Sequence, residues 1–259
     1  SDKKQDNIDL LIFEWVKVAL ATNPKVCVLE NVPEITRSET FKTAINQLRK
    51  KYVVNYKILK AVNFGVPQDR KRLICVGVRR DLADILNIDT KGILKLYPTG
   101  SSYLNTVEEA LQGIEIDEEE RDYVLTACRK SSSYEVIKNI PKDPPERWRL
   151  SYTHNQFHNM YFNTDRSAWN RPSPTITQQG TQVNVLGGVY HPVENRLFTL
   201  SELKRLMSLP DDFQLTGTWN QRAERVGRMV PPLLMHHLSK SIYEMVISKC
   251  SKSSFEIDL

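Results

Sequence analysis

The 259 residues carry 36 Lys and Arg against 31 Asp and Glu, a net charge of +5, and 40% are hydrophobic, enough for one large domain or two small ones. No run approaches the roughly 18 apolar residues that a membrane span requires, and the start Ser1-Asp2-Lys3-Lys4-Gln5 is too polar for a signal peptide, so a cytoplasmic protein is expected. Cys27, Cys75, Cys128 and Cys250 form neither a paired-thiol redox motif nor a zinc signature and are expected to be reduced thiols.

In chain order, Leu10, Leu11, Phe13, Val16, Ala19 and Leu20 follow helical spacing, and Asn23-Pro24 ends that helix. Val26-Cys-Val-Leu29 reads as a strand buried on both faces, with Glu30-Asn31 at its C-terminal end, where open parallel sheets bind ligands. Residues 38–50 predict an amphipathic helix capped by Ser38, and residues 52–61 a strand. After the turn Asn63-Phe-Gly-Val-Pro67, Leu73-Ile-Cys-Val-Gly-Val78 is a further strand. This alternation is the back half of a doubly wound sheet. Residues 81–170 show no clear long periodicity and predict a second, less regular lobe. Thr199-Leu-Ser-Glu202 has capping-box spacing and opens a helix at Leu200 to Met207. Pro231-Pro232 precedes Leu234, Leu238, Ile242 and Met245, the stripe of a final helix.

Charge is unevenly spread. Residues 1–80 hold 16 basic and 8 acidic side chains, residues 81–122 hold 3 and 11, and the remainder 17 and 12. Such a basic lobe is compatible with a bound polyanion.

Two constellations carry candidate chemistry. Glu30 at a strand end is either a cap or salt-bridge partner, or a carboxylate poised for proton transfer by its apolar surroundings. In Gln68-Asp-Arg-Lys-Arg72, alternate residues of an extended chain share a side, so Gln68, Arg70 and Arg72 can converge on one planar polar ring while Asp69 and Lys71 point away. The bland alternative is a solvated, arginine-rich hairpin. Cys27 lies three residues before Glu30, an odd offset that turns its thiol to the opposite face, into the core. His154 and His158 have a helical offset but no further ligands nearby, so no metal is expected.

Glu30-Asn31-Val32, Gln68-x-Arg70-x-Arg72, Arg171-Pro-Ser-Pro-Thr-Ile-Thr177, His191-Pro192, Arg196-Leu-Phe-Thr199, Leu209-Pro-Asp-Asp-Phe213 and Val226-Gly-Arg-Met-Val-Pro-Pro232, in this order, resemble the DNA cytosine carbon-5 methyltransferases. The resemblance implies an α/β fold: the C-terminal half of a Rossmann-like methyltransferase sheet, plus a smaller, irregular, mostly β target-recognition lobe. It implies catalytic-domain residues 1–80, a target-recognition domain at 81–215, and a helical return at 216–259. It further implies that Glu30 binds the amino group and ring nitrogen 3 of a flipped-out cytosine, that Arg72 contacts the ring-oxygen side of the base, and that Arg70 supports the same site. Met229 and Val230 would lie near S-adenosylmethionine, with Arg228 standing where the family has Asn. DNA contacts are expected from Gln68, Arg147, Arg149, His154 and Arg171.

The family's Phe-x-Gly-x-Gly cofactor loop and Pro-Cys nucleophile motif do not occur in this sequence. The expectation is therefore the C-terminal part of a methyltransferase, of a restriction-modification system, inactive without a second polypeptide or segment that supplies both motifs. A non-catalytic DNA-binding or specificity protein derived from the same family is the alternative.

Overall fold

The computed structural model describes residues 2–131, 134–150, 164–178, 181 and 188–250, without the side chains of 2–9, 136, 149 and 150. They fall into two compact units: Ser1–Leu59, Lys71–Thr99 and His236–Leu259 form the first, and Lys60–Arg70 with Gly100–Met235 the second. The chain passes into the second unit at Lys60–Arg70, returns to the first, and passes into the second again at Gly100. The reason for the early crossover is local. Residues 67–69 lie beside 173–175, with Asp69 N–H donating to Ser173 O at 2.8 Å and Ser173 N–H to Pro67 O at 2.9 Å.

The first unit begins with helix α1 (Asp2–Thr22), which stops at Asn23, whose φ of 48° is a left-handed conformation that Asn tolerates. Helix α1 buries Ile12, Val16 and Ala19 in one cluster with Phe41, Ala44, Ile45 and Leu48 of α2 (Glu39–Leu48). Each fully buried large aliphatic in such a cluster contributes about 1.5–3 kcal/mol. Leu10 and Leu11, expected on the buried stripe, are instead more than half exposed, and Ile12 takes their place. Ser38 caps α2 as its sequence suggests, accepting from Phe41 N–H.

Strands β1 (Val26–Asn31), β2 (Tyr52–Lys60) and β3 (Lys71–Arg79) form a sheet in the order β1-β3-β2, with β1 antiparallel to β3, and the short helix α3 (Arg80–Ile85) follows β3. The strand buried throughout is therefore β3, whose Leu73 to Val78 are all inaccessible, and not β1, where only Cys27 is buried. Position in the sheet, not apolar content, separates the two. Gly77 is required beside Cys27, because a Cβ there would stand 2.8 Å from the Cys27 sulfur.

The second unit confirms the α/β class but is, among its described residues, richer in helix than the mostly β lobe expected. It holds α4 (Val107–Leu111), α5 (Glu118–Lys130), α6 (Tyr134–Ile137), α7 (Leu200–Leu206) and α8 (Trp219–Arg228). Its strands β4 (Trp148–Leu150), β5 (Thr164–Arg166) and β6 (Gly188–Tyr190) have three residues each. Capping explains the helices: Thr106 with Glu109, Thr199 with Glu202 and Thr218 with Gln221 form reciprocal boxes, and Asp117 accepts from two amides at the start of α5. Val107, Val124, Ile176, Phe198, Leu203 and Val226 meet in one core.

Helix α9 (Pro232–Ile242) runs on into a π turn at Tyr243–Ile247. The wider turn shifts the buried series, so Leu234, Leu238 and Ile242 are followed by Val246, while the expected Met245 is only half-buried.

Candidate functional site

The antiparallel register sets Glu30 opposite Ile74 and Asn31 opposite Leu73. Side chains alternate along a strand, so Arg72, two residues from Ile74, is the diagonal neighbour of Glu30 on the same face. Arg72 Nε lies 2.7 Å from Glu30 Oε1, and 14% and 26% of the two side chains remain exposed. Burial lowers the Arg72 pKa, and the carboxylates of Glu30 and Glu34 oppose that shift. A guanidinium has ample reserve to stay charged under such conditions. The strand end thus presents a charge-assisted, partly open acid and guanidinium pair. Asn31 shapes the exit from the strand, its side-chain oxygen accepting from Val32 N–H at 2.8 Å.

Gln68 and Arg70 converge with each other, as alternation requires, but inside the second unit. Both are buried, whereas Asp69 and Lys71 are exposed. Arg70 donates from Nη1 to Ile176 O at 2.7 Å and to Gln68 Oε1 at 3.5 Å, and from Nη2 to Gly227 O at 3.0 Å and Met229 O at 3.1 Å. Gln68 Oε1 accepts from Ile176 N–H at 3.1 Å, and its Nε2 donates to Leu206 O at 3.3 Å. These bonds tie segment 173–176 to the C-terminal turn of α8. Gly227 allows that approach, since a Cβ there would lie 2.7 Å from main-chain atoms of Thr177 and Gln178.

Arg228, expected beside the cofactor, is 62% exposed and engaged within the second unit. Its Nε donates to Gln178 Oε1 at 2.7 Å, its Nη2 pairs with Glu224 Oε1 at 2.9 Å, and Gln178 Nε2 donates to the same Glu224 oxygen at 2.7 Å. The sequence reading missed Gln178 and Glu224, although the i,i+4 spacing of Glu224 and Arg228 signals the pair. Met229 and Val230 are half-buried.

Of the expected DNA contacts, Arg147 is held in a two-pronged bond by the buried Asp165, at 2.8 and 3.0 Å. Arg149 stands opposite Asp165 in the β4–β5 register, and its side chain lies outside the described set. His154 and His158 lie outside the described residues. Arg171 has an exposed side chain, while its carbonyl accepts from Val107 N–H at 2.9 Å.

Cys27 lies in the core, as its odd offset from Glu30 leads one to expect. Cys27, Cys75 and Cys128 are buried, and burial pushes the Cys27 thiol up to about 11 and the Cys75 thiol up to about 12. Neither is a ready thiolate. Among the described residues no cluster of three or more His, Cys, Asp or Glu is placed to hold a metal, and no helix is long and apolar enough to cross a membrane.

The fold is that of α/β methyltransferases. It matches a DNA modification methyltransferase encoded within an Escherichia coli prophage with a TM-score of 0.65 at 18% identity, over 93% of this chain and 75% of that one. The S. pombe Dnmt2 methyltransferase gives 0.54 at 14% identity, over 85% and 67%. The profile of the C-5 cytosine-specific DNA methylases matches residues 1–244, and the chain belongs to that family. It is 30% identical over 260 residues to the type II methyltransferase M.Eco47II of Escherichia coli, covering 93% of this chain and 59% of the relative. It is also 30% identical to M.PspPI of Psychrobacter sp., covering 95% and 60%. The chain thus spans about three fifths of the length of these relatives.

Proposed function

We propose that this chain provides the base-reading and DNA-recognition part of a DNA cytosine carbon-5 methyltransferase. The observation that carries the reading is the Glu30–Arg72 pair, set diagonally on one sheet face at a strand end and left partly open. A flipped cytosine offers an amino donor, ring nitrogen 3 and a carbonyl oxygen along one edge. The Glu30 carboxyl accepts from the amino group and holds a proton at nitrogen 3. The guanidinium of Arg72 orients that carboxyl and donates to the carbonyl oxygen. Holding a proton at nitrogen 3 draws electrons from carbon 6, which opens it to a thiolate.

Neither that thiolate nor the cofactor cradle fits the residues described. The two internal sulfurs flanking Glu30 in the sheet are buried and resist ionisation, so the nucleophile comes from a polypeptide segment that carries the Pro-Cys motif. S-adenosylmethionine supplies the methyl group in this chemistry. Met229 and Val230 can pack against its apolar parts, but the Arg228 charge is already matched by Glu224. Arg70 braces main chain within the second unit, with its two terminal nitrogens on carbonyls and Gln68. In this reading the second unit recognises duplex DNA, Arg171 and the Arg147–Arg149 strand among its contacts.

The test mixes this chain with a polypeptide carrying the Phe-x-Gly-x-Gly and Pro-Cys motifs, duplex DNA and labelled S-adenosylmethionine. Transfer to cytosine carbon 5 is expected, falling by about 10²-fold or more in Glu30→Ala. Undiminished transfer in that variant removes Glu30 from the mechanism. Sequence-selective DNA binding with no transfer in any such mixture would instead favour a specificity protein derived from the family.

A further inference from the structure

Arg79 N–H donates to Lys25 O at 3.0 Å, one step before the β1–β3 register that sets Val26 opposite Val78. Bonded and non-bonded pairs alternate in an antiparallel ladder. Lys25, Cys27, Leu29 and Asn31 therefore turn their main-chain groups towards β3, and Val26, Val28 and Glu30 turn theirs outwards. Strand β1 ends the sheet, and among the described residues no main-chain group pairs with the outward N–H or C=O of Val26 or Val28. The opposite edge strand, β2, carries the exposed Lys57 and Lys60, which discourage further pairing, whereas Val26-Cys-Val-Leu29 holds neither a charge nor a proline. The side chains of Val26 and Val28 line a groove of about 770 Å³ within the first unit. Ile242, Tyr243 and Ile247 line it from the end of α9 and its π turn. Lys25 and Lys240 add positive charge, with no carboxylate among the described lining residues.

We propose that this edge and groove take a β-strand of the segment that supplies the Phe-x-Gly-x-Gly and Pro-Cys motifs, paired main chain to main chain with Val26 and Val28 and with alternate side chains seated in the groove. The identity of the occupant rests on the function proposed above; the receptive edge does not. Three observations favour that segment over a second copy of this chain. The chain spans about three fifths of the length of M.Eco47II and M.PspPI, which leaves a sizeable part of such a protein to be accommodated. Strand β1 runs to Glu30 and Asn31, so a strand laid about 4.8 Å beside it reaches the acid and guanidinium pair where a thiolate is wanted. A second copy docked by the same edge about a two-fold axis would set the lysines of one groove against those of the other, whereas an occupant with an acidic side chain is attracted to them.

The test follows amide hydrogen exchange of the whole chain, alone and with a polypeptide carrying the Phe-x-Gly-x-Gly and Pro-Cys motifs. On binding, the amides of Val26 and Val28 should slow by about tenfold or more, while that of Lys57 on β2 keeps its rate. Two variants address the edge and the groove separately. Val28→Pro removes an outward donor and leaves every β1–β3 bond in place. Tyr243→Asp puts a charge on a groove position that is 59% exposed, and it should melt as the parent does. Each should weaken binding of the polypeptide by about tenfold or more, whereas Lys57→Glu should bind like the parent. Unchanged exchange at Val26 and Val28 in the bound chain, or parent-like binding by Tyr243→Asp and by a folded Val28→Pro, overturns the docking and leaves the proposed function standing if methyl transfer persists. A chain that does not bind the polypeptide also overturns the docking. Slowing at Val26 and Val28 as the chain alone is concentrated assigns the edge to a second copy and overturns it likewise. Slowing with the polypeptide and weaker binding in the variants, but no methyl transfer, upholds the docking and counts against the proposed function.

Discussion

Arg70 and Arg72 stand two residues apart and do different work. Arg72 meets a carboxylate at a partly open strand end, whereas Arg70 is buried with its terminal nitrogens on the carbonyls of Ile176, Gly227 and Met229. Two of those carbonyls belong to the end of α8, where helix geometry leaves acceptors without intrahelical partners. Arg70→Met keeps much of the bulk but removes every donor, so it should destabilise the protein by about 2–4 kcal/mol, the cost of stranding buried acceptors. Urea and thermal denaturation measure this, and an unchanged midpoint would show that the bonds contribute nothing. The alternation of Gln68, Arg70 and Arg72 was legible in the sequence. That Arg70 would turn to main chain was not, because its acceptors lie more than a hundred residues away along the chain.

The contact between α8 and segment 173–178 depends on an absent side chain. In Gly227→Ala the new methyl group would stand 2.7 Å from the carbonyl carbon and oxygen of Thr177 and the nitrogen of Gln178. Main-chain atoms cannot swing aside as a side-chain tip can. A loss of about 1–3 kcal/mol is expected, the usual range for overpacking, with disturbed resonances confined to residues 176–178 and the end of α8. A parent-like spectrum and stability would mean that the two segments approach less closely. Helices α1 and α2 and strands β1 to β3 of the first unit were readable because helical spacing and short apolar runs mark them, whereas the short helix at Arg80–Ile85 was missed. Helix α5 was missed since its charged surface gives a weak stripe, although Asp117, Glu118 to Glu120 and the terminal Arg129-Lys130 mark both its ends. The π turn left no local mark, which is why Met245 was expected where Val246 is buried.

At the scale of the molecule, the buried charges of the second unit determine how it responds to acid. Arg196 pairs with Glu202 at 2.7 Å and with Glu194 at 3.1 Å, Arg121 reaches Glu194 at 3.0 Å, and Arg166 donates to the carbonyls of His191 and Glu194. Burial lowers the His191 pKa from 6.5 to about 4, with the Glu202 carboxylate acting against that shift. Burial works to raise the Glu194 pKa, but hydrogen bonds from Arg196 and Arg121 prevail and hold it at about 2. Both groups are depressed, so both contribute stability at neutral pH that acid removes. Below pH 6.5 the unfolded chain takes up a proton that folded His191 refuses until about pH 4. Below about 4.5 the same holds for Glu194, down to about pH 2. The urea midpoint should therefore decline from pH 6.5 to about 2, most steeply between about 4.5 and 4 where both groups contribute, and His191→Gln should flatten the part above 4.5. A profile level across this range would contradict both shifts.

The sequence by itself determined the α/β class, the family and the identity of the acid and guanidinium groups, because these follow from short patterns: strand periodicity, helix caps and the spacing of Glu30, Gln68, Arg70 and Arg72. It also placed Cys27 in the core through the odd offset from Glu30. Only the tertiary structure decided how those groups are shared out. Strand β3 inserts between β1 and β2 and runs against β1, which brings Arg72 to Glu30. Segment 173–176 lies against residues 67–69, which draws Gln68 and Arg70 away to brace main chain. Pairing of distant segments is set by hydrogen bonds and packing between residues that no local pattern connects, and for that reason it became visible only in the fold.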